Sequence, residues 1–272
     1  MISIITAIHN QLAMNKLFWE NLCRYTHNQF ELIIIDNAST DGSAEFFISV
    51  GAKVIRNKYN YSYPHSQNQG MAAAQFDTMM FLNNDIIVSP QWDQHLLDTM
   101  EKNGLEVAAA CGIEQVENFQ ATRRFKKRWR RIKNTIGLLF GRTKRSLSLM
   151  HKLMYPQWEE FSRKRYKEFS DTIKEGFVGN TVVIKRSALA KIGLWDERLQ
   201  QGDFDLYLRT KFRAVEYGDI KPMHICLGVF IHHYIRLTEK AGYPPFADAS
   251  NFIELEDKWS EKELRYLELL NK

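Results

Sequence analysis

The stretch Leu32-Ile33-Ile34-Ile35-Asp36-Asn37-Ala38-Ser39-Thr40-Asp41-Gly42 decides the fold of this chain. Its first four residues form an apolar run that is too short and too β-branched for a helix, which predicts a buried strand. The polar residues from Asp36 to Gly42 predict a turn, and the hydroxyl of Ser43 is expected to cap the helix that follows. A buried strand, a polar turn and a helix in succession are typical of one unit of an α/β fold.

The same alternation continues on both sides of this unit. Strand-like apolar runs lie at residues 2–8, 52–55, 78–82, 107–111, 181–184 and 225–231. Helical patterns lie at residues 12–25, 66–75, 90–102 and 202–213. The spacing predicts an α/β fold with a mainly parallel sheet and helices on both faces. Such sheets bind ligands outside the carboxyl ends of their strands, so the polar residues that follow strands are candidate site residues. They are His9, Asn10, Asp36, Asn37, Asn83, Asn84 and Asp85.

The composition indicates a globular chain, whose length allows one large domain or two small ones, and we expect a single domain over residues 1–272. Its 272 residues are 44% hydrophobic and 25% charged, which excludes a disordered or collagen-like protein. The cysteines, Cys23, Cys111 and Cys226, show neither a disulfide framework nor a metal-ligand spacing, which predicts reduced thiols and a cytoplasmic location. No apolar run approaches the roughly 20 residues of a membrane span, and the N-terminal run lacks the basic residues of a signal peptide.

Most of the positive charge lies in residues 118–175, which we interpret as a basic helical insertion. This segment holds 17 Lys/Arg against 5 Asp/Glu, whereas the whole chain has a net charge of only +5. An apolar stripe recurs at helical spacing between the cations. Its residues are Phe125, Trp129, Ile132, Ile136 and Leu139. Further helices are expected at 147–154 and 161–173, and a helical tail at 246–272.

Three interpretations of the basic insertion stay open. A helix lying on an anionic membrane surface explains both the apolar stripe and the cations, and it is the one we favour. A contact with a second subunit or with a substrate is the first alternative, and a plain solvated face is the second. No recognised nucleic-acid-binding module accompanies the charge, so no nucleic-acid partner is predicted.

Six ordered pieces of the sequence resemble the motifs of one enzyme family. They are residues 2–10, residues 33–43, Asn68-Gln69-Gly70, Phe81-Leu82-Asn83-Asn84-Asp85, Trp195-Asp196-Glu197, and Asp203-Phe204-Asp205-Leu206 with Arg209. Together they resemble family 2 of the inverting glycosyltransferases, which have a GT-A fold and bind nucleotide-diphospho-sugars. Two positions depart from the family pattern. Gly202 stands where a Glu is common before the catalytic Asp, and Gln75 stands where a Gly is usual.

The resemblance implies a donor site with a divalent metal, Mn²⁺ or Mg²⁺. Asp85 is the expected metal ligand, because hard cations prefer carboxylate oxygens. His233, one of a histidine pair after the last strand, is expected to contact the metal or the diphosphate. The resemblance also implies donor-binding roles for several other residues. They are Thr6, Ala7 and Ile8 around the base, Asp36 on the base N3–H, Asn68 on the diphosphate or sugar, and Asn83 and Asn84 near the ribose or metal-bound water. Asp41 is expected only to hold its turn, and Thr238 keeps roughly the family's spacing from the histidines.

The resemblance further implies the reaction. Asp203 is the expected general base that takes the proton of an acceptor hydroxyl, while Asp205 and Arg209 orient the site. The acceptor is expected to be a glycan or a lipid-linked glycan, as in cell-surface polysaccharide synthesis on the inner face of the membrane. A nucleotidyltransferase is a weaker alternative, because residues 9–14 lack a Gly-rich, basic loop. A binding or scaffold protein that has lost catalysis is a second alternative, which Gly202 leaves open.

Overall fold

The computed structural model describes residues 1–235, 237 and 244–269. Its described residues form one nine-stranded sheet with the order β3-β2-β1-β4-β8-β6-β9-β5, and β7 pairs with β9 outside this path. The strands are β1 (Ile2–Ile8), β2 (Phe30–Asn37), β3 (Lys53–Asn57), β4 (Thr78–Leu82), β5 (Ile86–Ile87), β6 (Val107–Gly112), β7 (Ile173–Glu175), β8 (Thr181–Lys185) and β9 (His224–His233).

The sheet is mostly parallel, as the sequence predicts. Strands β3, β2, β1 and β4 are parallel neighbours, and β6 and β9 continue in the same direction. Strand β8 runs antiparallel between β4 and β6, and the short strands β5 and β7 are antiparallel to β9. The carboxyl ends of β1, β2 and β4 therefore meet at one edge, where their loops build a site.

Both faces of the sheet are buried, which explains why its strands are continuous apolar runs. Successive side chains of a strand point to opposite faces. In β2, Ile33 and Ile35 belong to one hydrophobic cluster, and Leu32 and Ile34 belong to the other. Helices cover both clusters. They are α1 (Leu12–Tyr25), α2 (Ser43–Ser49), α3 (Tyr63–Ala73), α4 (Trp92–Lys102), α5 (Phe119–Phe140), α6 (Lys144–Met154), α7 (Trp158–Phe169), α8 (Arg186–Ile192), α9 (Gly202–Tyr217), α10 (Leu255–Lys258) and α11 (Glu261–Leu269).

Several element boundaries differ from the prediction. The helix expected at 161–173 ends at Phe169, because the chain then enters β7 and pairs with β9. Gly228 of β9 allows this approach, since a Cβ there would lie 2.9 Å from the carbonyl oxygen of Phe169. The described part of the tail is a 3₁₀ turn followed by the short helices α10 and α11 rather than one helix. Ser43 lies inside α2 and does not cap it, because Gly42 takes the N-cap position.

The apolar stripe of the basic insertion faces the protein's own core, so the predicted membrane contact through this stripe is wrong. Trp129 is 3% exposed and Ile136 is 8% exposed, and Phe125 and Ile132 pack against the same cluster. The Trp129 ring lies edge-on to the rings of His232 and Tyr234 in β9 and just after it. Burial of these side chains fixes α5 on the sheet, and only Leu139 of the stripe is largely exposed. Among the described residues, no helix has the length and apolar character of a membrane span.

Candidate active site

The loops after β1 and β2 hold three non-glycine residues in a left-handed backbone conformation. The φ angles of Asn10, Gln11 and Ala38 are 57°, 73° and 60°. Such conformations cost free energy and cluster at functional sites. The Asn10 side chain accepts a hydrogen bond of 2.8 Å from the backbone N–H of Thr40, which ties the two loops together. The predicted turn role of Asp41 is confirmed, since its carboxylate accepts from the backbone N–H groups of Leu12 and Ser43.

These loops border a cleft with a volume of about 360 Å³ at the carboxyl edge of the sheet. Eight predicted site residues line the cleft. They are Ala7, Ile8, His9, Asn37, Asn83, Asn84, Asp85 and His233. The rings of Tyr61, Tyr63 and Phe246 also line it and supply flat apolar surface. The cleft therefore combines polar strand-end groups with aromatic walls, which is the usual composition of a small-molecule site.

Asp85 and His233 form an ion pair in the wall of the cleft. The Oδ1 atom of Asp85, which is 4% exposed, lies 3.0 Å from Nε2 of His233. The other ring nitrogen, Nδ1, contacts the carboxylate of Glu114 in the turn after β6. Burial alone would lower the pKa of His233, but the two carboxylates outweigh burial and hold this pKa well above its usual range. Sequence reasoning missed Glu114, because the turn after β6 carries no recognisable motif.

The Asp85–His233 pair fits a metal that arrives with its substrate. Within the described part of the chain, no three His, Cys, Asp or Glu residues are arranged as a preformed metal cage. Mg²⁺ and similar ions are usually held by one or two carboxylates, with substrate phosphates completing the coordination. The buried Asp85 carboxylate on the cleft wall is a ligand of that kind, and His233 would bind the ion only after its ring lost a proton.

Asp203 lies at the first turn of α9, and nothing within the described residues hydrogen-bonds to its Oδ1 atom. The Oδ2 atom lies against Gly179 in the loop before β8. Burial raises the pKa of Asp203 to about 7. The Asp203 charge also contributes to raising the pKa of Tyr63, which lines the cleft, so the carboxylate lies close to that phenol. A carboxylate of this pKa is suited to accept a proton near neutral pH.

Close packing explains the departure at Gly202. A Cβ at this position would lie 3.0 Å from Cγ of Pro64 and 3.3 Å from Cε3 of Trp195. Any larger residue would therefore fit only if the side chain of Pro64 or Trp195 shifted by a few tenths of an ångström. Gly202 therefore brings α9 against α3, next to Asp203, and it does not by itself favour a protein that has lost catalysis.

Asp205 and Arg209 lie in α9 and do not line the cleft, and Asp205 contacts the C-terminal segment instead. The fully buried Asp205 carboxylate accepts from Nε of Arg209 at 2.8 Å and from the indole N–H of Trp259 at 2.9 Å. Nζ of Lys258 lies 2.8 Å from the same carboxylate. These contacts pack the C-terminal segment against α9. Asp205, which makes them, follows Asp203 by two residues in that helix.

Asn68 likewise bonds to a neighbouring loop. Its side-chain amide donates to the carbonyl of Trp195 at 3.0 Å and to Glu197 at 2.8 Å, and its oxygen accepts from the N–H of Trp195 at 3.0 Å. His65, one turn earlier in α3, contacts the second carboxylate oxygen of Glu197 at 2.7 Å. Asn68 therefore positions the loop that packs beside Gly202.

Thr6 and Asp36 are buried at the strand ends behind the cleft. Thr6 is fully buried, and its hydroxyl has no hydrogen-bond partner among the described residues. Asp36 is 3% exposed and accepts a hydrogen bond of 3.1 Å from the backbone N–H of Ser39. His232 lies in an aromatic cluster behind its neighbour His233, and Thr238 lies outside the described residues.

Comparison with known proteins identifies the family of this chain. The profile of glycosyl transferase family 2 matches residues 3–193, and the chain belongs to this family. An uncharacterized glycosyltransferase of Haemophilus influenzae is 32% identical over 104 residues, which is 38% of this chain. Another, of Rickettsia typhi, is 22% identical over 215 residues, or 77% of this chain. The chain spans 35% of the length of the first relative and 58% of the second.

Solved structures show the same fold at low sequence identity. A mannosyltransferase of Pyrobaculum calidifontis in complex with GDP-Man and Mn²⁺ has a TM-score of 0.52 and 12% identity, covering 89% of this chain and 58% of its own. Staphylococcus aureus TarS 1–349 in complex with UDP-GlcNAc has a TM-score of 0.53 and 13% identity, covering 98% of this chain and 65% of its own. The predicted GT-A fold and family are thus confirmed.

Proposed function

We propose that this protein is an inverting glycosyltransferase that moves a sugar from a nucleotide-diphospho-sugar to an acceptor hydroxyl. The acceptor is a glycan or a lipid-linked glycan of cell-surface polysaccharide synthesis. Family membership supports glycosyl transfer, and two structural neighbours carry donors, GDP-Man with Mn²⁺ and UDP-GlcNAc. The cleft at the carboxyl ends of the strands supports a donor site at that edge of the sheet.

The environment of Asp203 is the observation that carries the proposal. Inversion is a single displacement, in which the acceptor oxygen attacks the anomeric carbon as the bond from that carbon to the diphosphate oxygen breaks. The acceptor hydroxyl loses its proton, and Asp203 takes it. The unbonded Oδ1 atom and the pKa of about 7 suit a general base at neutral pH.

The leaving diphosphate belongs at the Asp85 end of the cleft in this proposal. Asp85 and His233 would hold a divalent Mn²⁺ or Mg²⁺, which stabilises negative charge on phosphate oxygens when it is bound. Asn83 and Asn84 lie on the same wall and are proposed to contact the ribose or bound water. Thr6, Ala7, Ile8 and Asp36 are proposed to shape and bind the base. Asn68, Asp205 and Arg209 are proposed to hold the loops that close around the sugar.

Donor binding and turnover test the proposal separately. Thermal shifts with UDP-, GDP- and dTDP-sugars, each with and without Mn²⁺, should identify a donor that stabilises the protein, because a bound ligand raises the melting temperature by mass action. With that donor, Asp203→Asn should keep the shift and lose about 10²- to 10⁴-fold in nucleotide release. Asp219→Asn, which changes a carboxylate beyond the other end of α9, is the control. Near-normal turnover of Asp203→Asn would refute the role of Asp203.

A cytoplasmic location and a peripheral membrane contact are also proposed. The described residues contain three cysteines, all free thiols, which supports a reducing compartment. The exposed end of α5 supports a membrane contact at a different place from the buried stripe. Leu138, Leu139 and Phe140 are 87%, 64% and 57% exposed there, and Arg142 and Arg145 follow them. Apolar side chains flanked by cations suit an anionic lipid surface.

A further inference from the structure

A second and larger concavity lies beside the donor cleft, along the first turns of α5. Its volume is about 1440 Å³, above the roughly 300–1,000 Å³ of sites for single small ligands. Seven of its sixteen lining residues are Lys or Arg, and Glu114 is the one acidic residue among them. We call this concavity the basic groove. Its size and shape suit an extended ligand of several units.

Three cations of the basic groove are available to a ligand. Within the described residues, no carboxylate lies within ion-pair distance of Arg123, Lys126 or Arg130, which are all exposed. Uncompensated charges of one sign in a concave surface raise the local concentration of an oppositely charged ligand.

The basic groove is joined to the candidate active site through shared residues. Ile235 lines both the groove and the donor cleft. Glu114 lines the groove, contacts His233 of the cleft, and accepts a hydrogen bond of 3.2 Å from the side chain of Asn180. Asn180 directly follows Gly179, against which the Asp203 carboxylate lies. The groove therefore adjoins the donor cleft, and Glu114 connects it to the loop that contacts Asp203.

We propose that the basic groove binds the acceptor, and that the acceptor is an anionic glycan carrying phosphate or carboxylate groups along its chain. This inference rests on the proposed glycosyl transfer and names its acceptor class. Arg pairs with phosphate and carboxylate through two parallel hydrogen bonds, and Lys adds positive charge. A repeating anion along the glycan matches cations that recur along one face of α5.

The geometry favours this ligand over a membrane or a nucleic acid. The groove cations surround a concavity, whereas a flat bilayer is met by an exposed convex surface. The apolar stripe that would insert between lipids is buried under the same helix. The groove also adjoins the donor cleft, with which it shares Ile235, and an acceptor needs a position beside the donor.

A binding experiment with matched probes tests the proposal. The ligand is a fluorescein-labelled oligogalacturonate, with one carboxylate per sugar, and the control ligand is its neutral methyl ester. Sodium polyphosphate as competitor tells whether phosphate alone occupies the groove. We expect the charged oligomer to bind and the ester not to, with affinity falling between 50 and 300 mM salt. The triple variant Arg123→Gln, Lys126→Gln, Arg130→Gln should bind about tenfold more weakly.

A control variant that loses the same amount of positive charge distinguishes binding in the basic groove from general electrostatic attraction to the protein. Arg131→Gln, Arg142→Gln, Arg145→Gln removes three exposed cations that do not line the groove, and it should change affinity less than about twofold. Equal losses in both variants would overturn the proposal. So would tighter groove-dependent binding of a single-stranded oligonucleotide or of vesicles with 30% phosphatidylglycerol. Thermal shifts with the donor, measured on the same proteins, report the donor site independently. A failure of the acceptor proposal is therefore distinguishable from a failure of the proposed glycosyl transfer.

Discussion

The Asp203 carboxylate touches the backbone of Gly179. A Cβ built on Gly179 would lie 2.3 Å from Oδ2 of Asp203, well inside contact distance. Gly179 is therefore the residue that leaves room for the proposed base in its present position. The next residue, Asn180, donates to Glu114, so the same loop touches the surroundings of Asp203 and of His233.

Gly179→Ala should displace Asp203 and lower turnover. A misplacement of about 1 Å at a reacting group costs on the order of 10²-fold in rate. We expect kcat to fall by roughly that factor, while the donor KM changes little, because the donor cleft is lined by other residues. Steady-state kinetics with saturating donor measure both. Gly176→Ala, in the same loop but beside Ile225, is a control for general loop damage. Unchanged kcat in Gly179→Ala would contradict the close coupling.

The activity should depend on pH through Asp203. Burial raises the pKa of this carboxyl to about 7, and only the ionised form accepts a proton. We expect kcat to be constant above about pH 8 and to fall about tenfold per pH unit below pH 6. Initial rates from pH 5 to 9 measure the profile. An acid limb with its midpoint near pH 4 would contradict the burial argument.

The same pKa shift predicts that Asp203→Asn is more stable than the wild type at high pH. The folded carboxyl has a pKa of about 7, above the roughly 3.9 of an unfolded chain, so the folded state binds more protons between these values. The wild type therefore loses stability as pH rises from about 4 to 7. We expect Asp203→Asn to gain about 1 kcal/mol or more at pH 8, which is a rise of about 2–4 °C in Tm, and little at pH 4. Thermal melts at both pH values measure this, and an equal difference at both would refute it.

Asp85→Ala should abolish Mn²⁺-dependent donor binding while the protein stays folded. Asp85 is the carboxylate on the cleft wall next to His233, and its removal leaves the ion with one proposed protein ligand. Thermal shifts with donor, with and without Mn²⁺, measure the effect. Asp77→Ala, just before the other end of β4 and largely exposed, is the matched control. A normal Mn²⁺-dependent shift in Asp85→Ala would exclude this metal site.

Local pattern predicted the sheet and the strand-end residues well, because buried strands and polar turns are signalled by adjacent residues. Residues 33–36 are an example, because the apolar residues lie in β2 and the Asp36 carboxylate lies near the end of that strand, beside the site. Long-range contacts were not predictable from pattern. Glu114 reaches the site only through the fold of the turn after β6, and β7 forms only because β9 offers it an edge.

The apolar stripe of α5 is a further example of a long-range contact that local sequence pattern does not predict. Periodicity predicted an amphipathic helix, and the structure has one, but periodicity does not say what covers the apolar face. Trp129 is covered by His232 and Tyr234, which are about a hundred residues further along the chain. The basic insertion is therefore integral to the core, and its exposed surfaces are the groove and the end of the helix.

The α5 stripe yields a stability prediction. Trp129→Asp with Ile132→Asp should unfold the protein, because it places charges where Trp129 is 3% exposed, and buried unpaired charges cost several kcal/mol. Leu138→Asp with Leu139→Asp carries the same charges at exposed positions of the same helix and should stay folded. Circular dichroism melts compare the two proteins, and a folded stripe variant would contradict the packing.

The exposed end of α5 gives the remaining prediction, on membrane contact. Leu138 and Phe140 are exposed beside Arg142 and Arg145, so they can enter the interface of an anionic bilayer while the cations meet its headgroups. The wild type should co-sediment with vesicles of 30% phosphatidylglycerol at 50 mM salt and less at 300 mM, because screening shortens the reach of the surface potential. Leu138→Asp with Phe140→Asp should release it without unfolding, whereas the groove variant should still sediment. A wild type that stays in the supernatant at low salt would refute the membrane proposal. Release of the groove variant alone would show that the lipid binds at the groove and not at the end of α5.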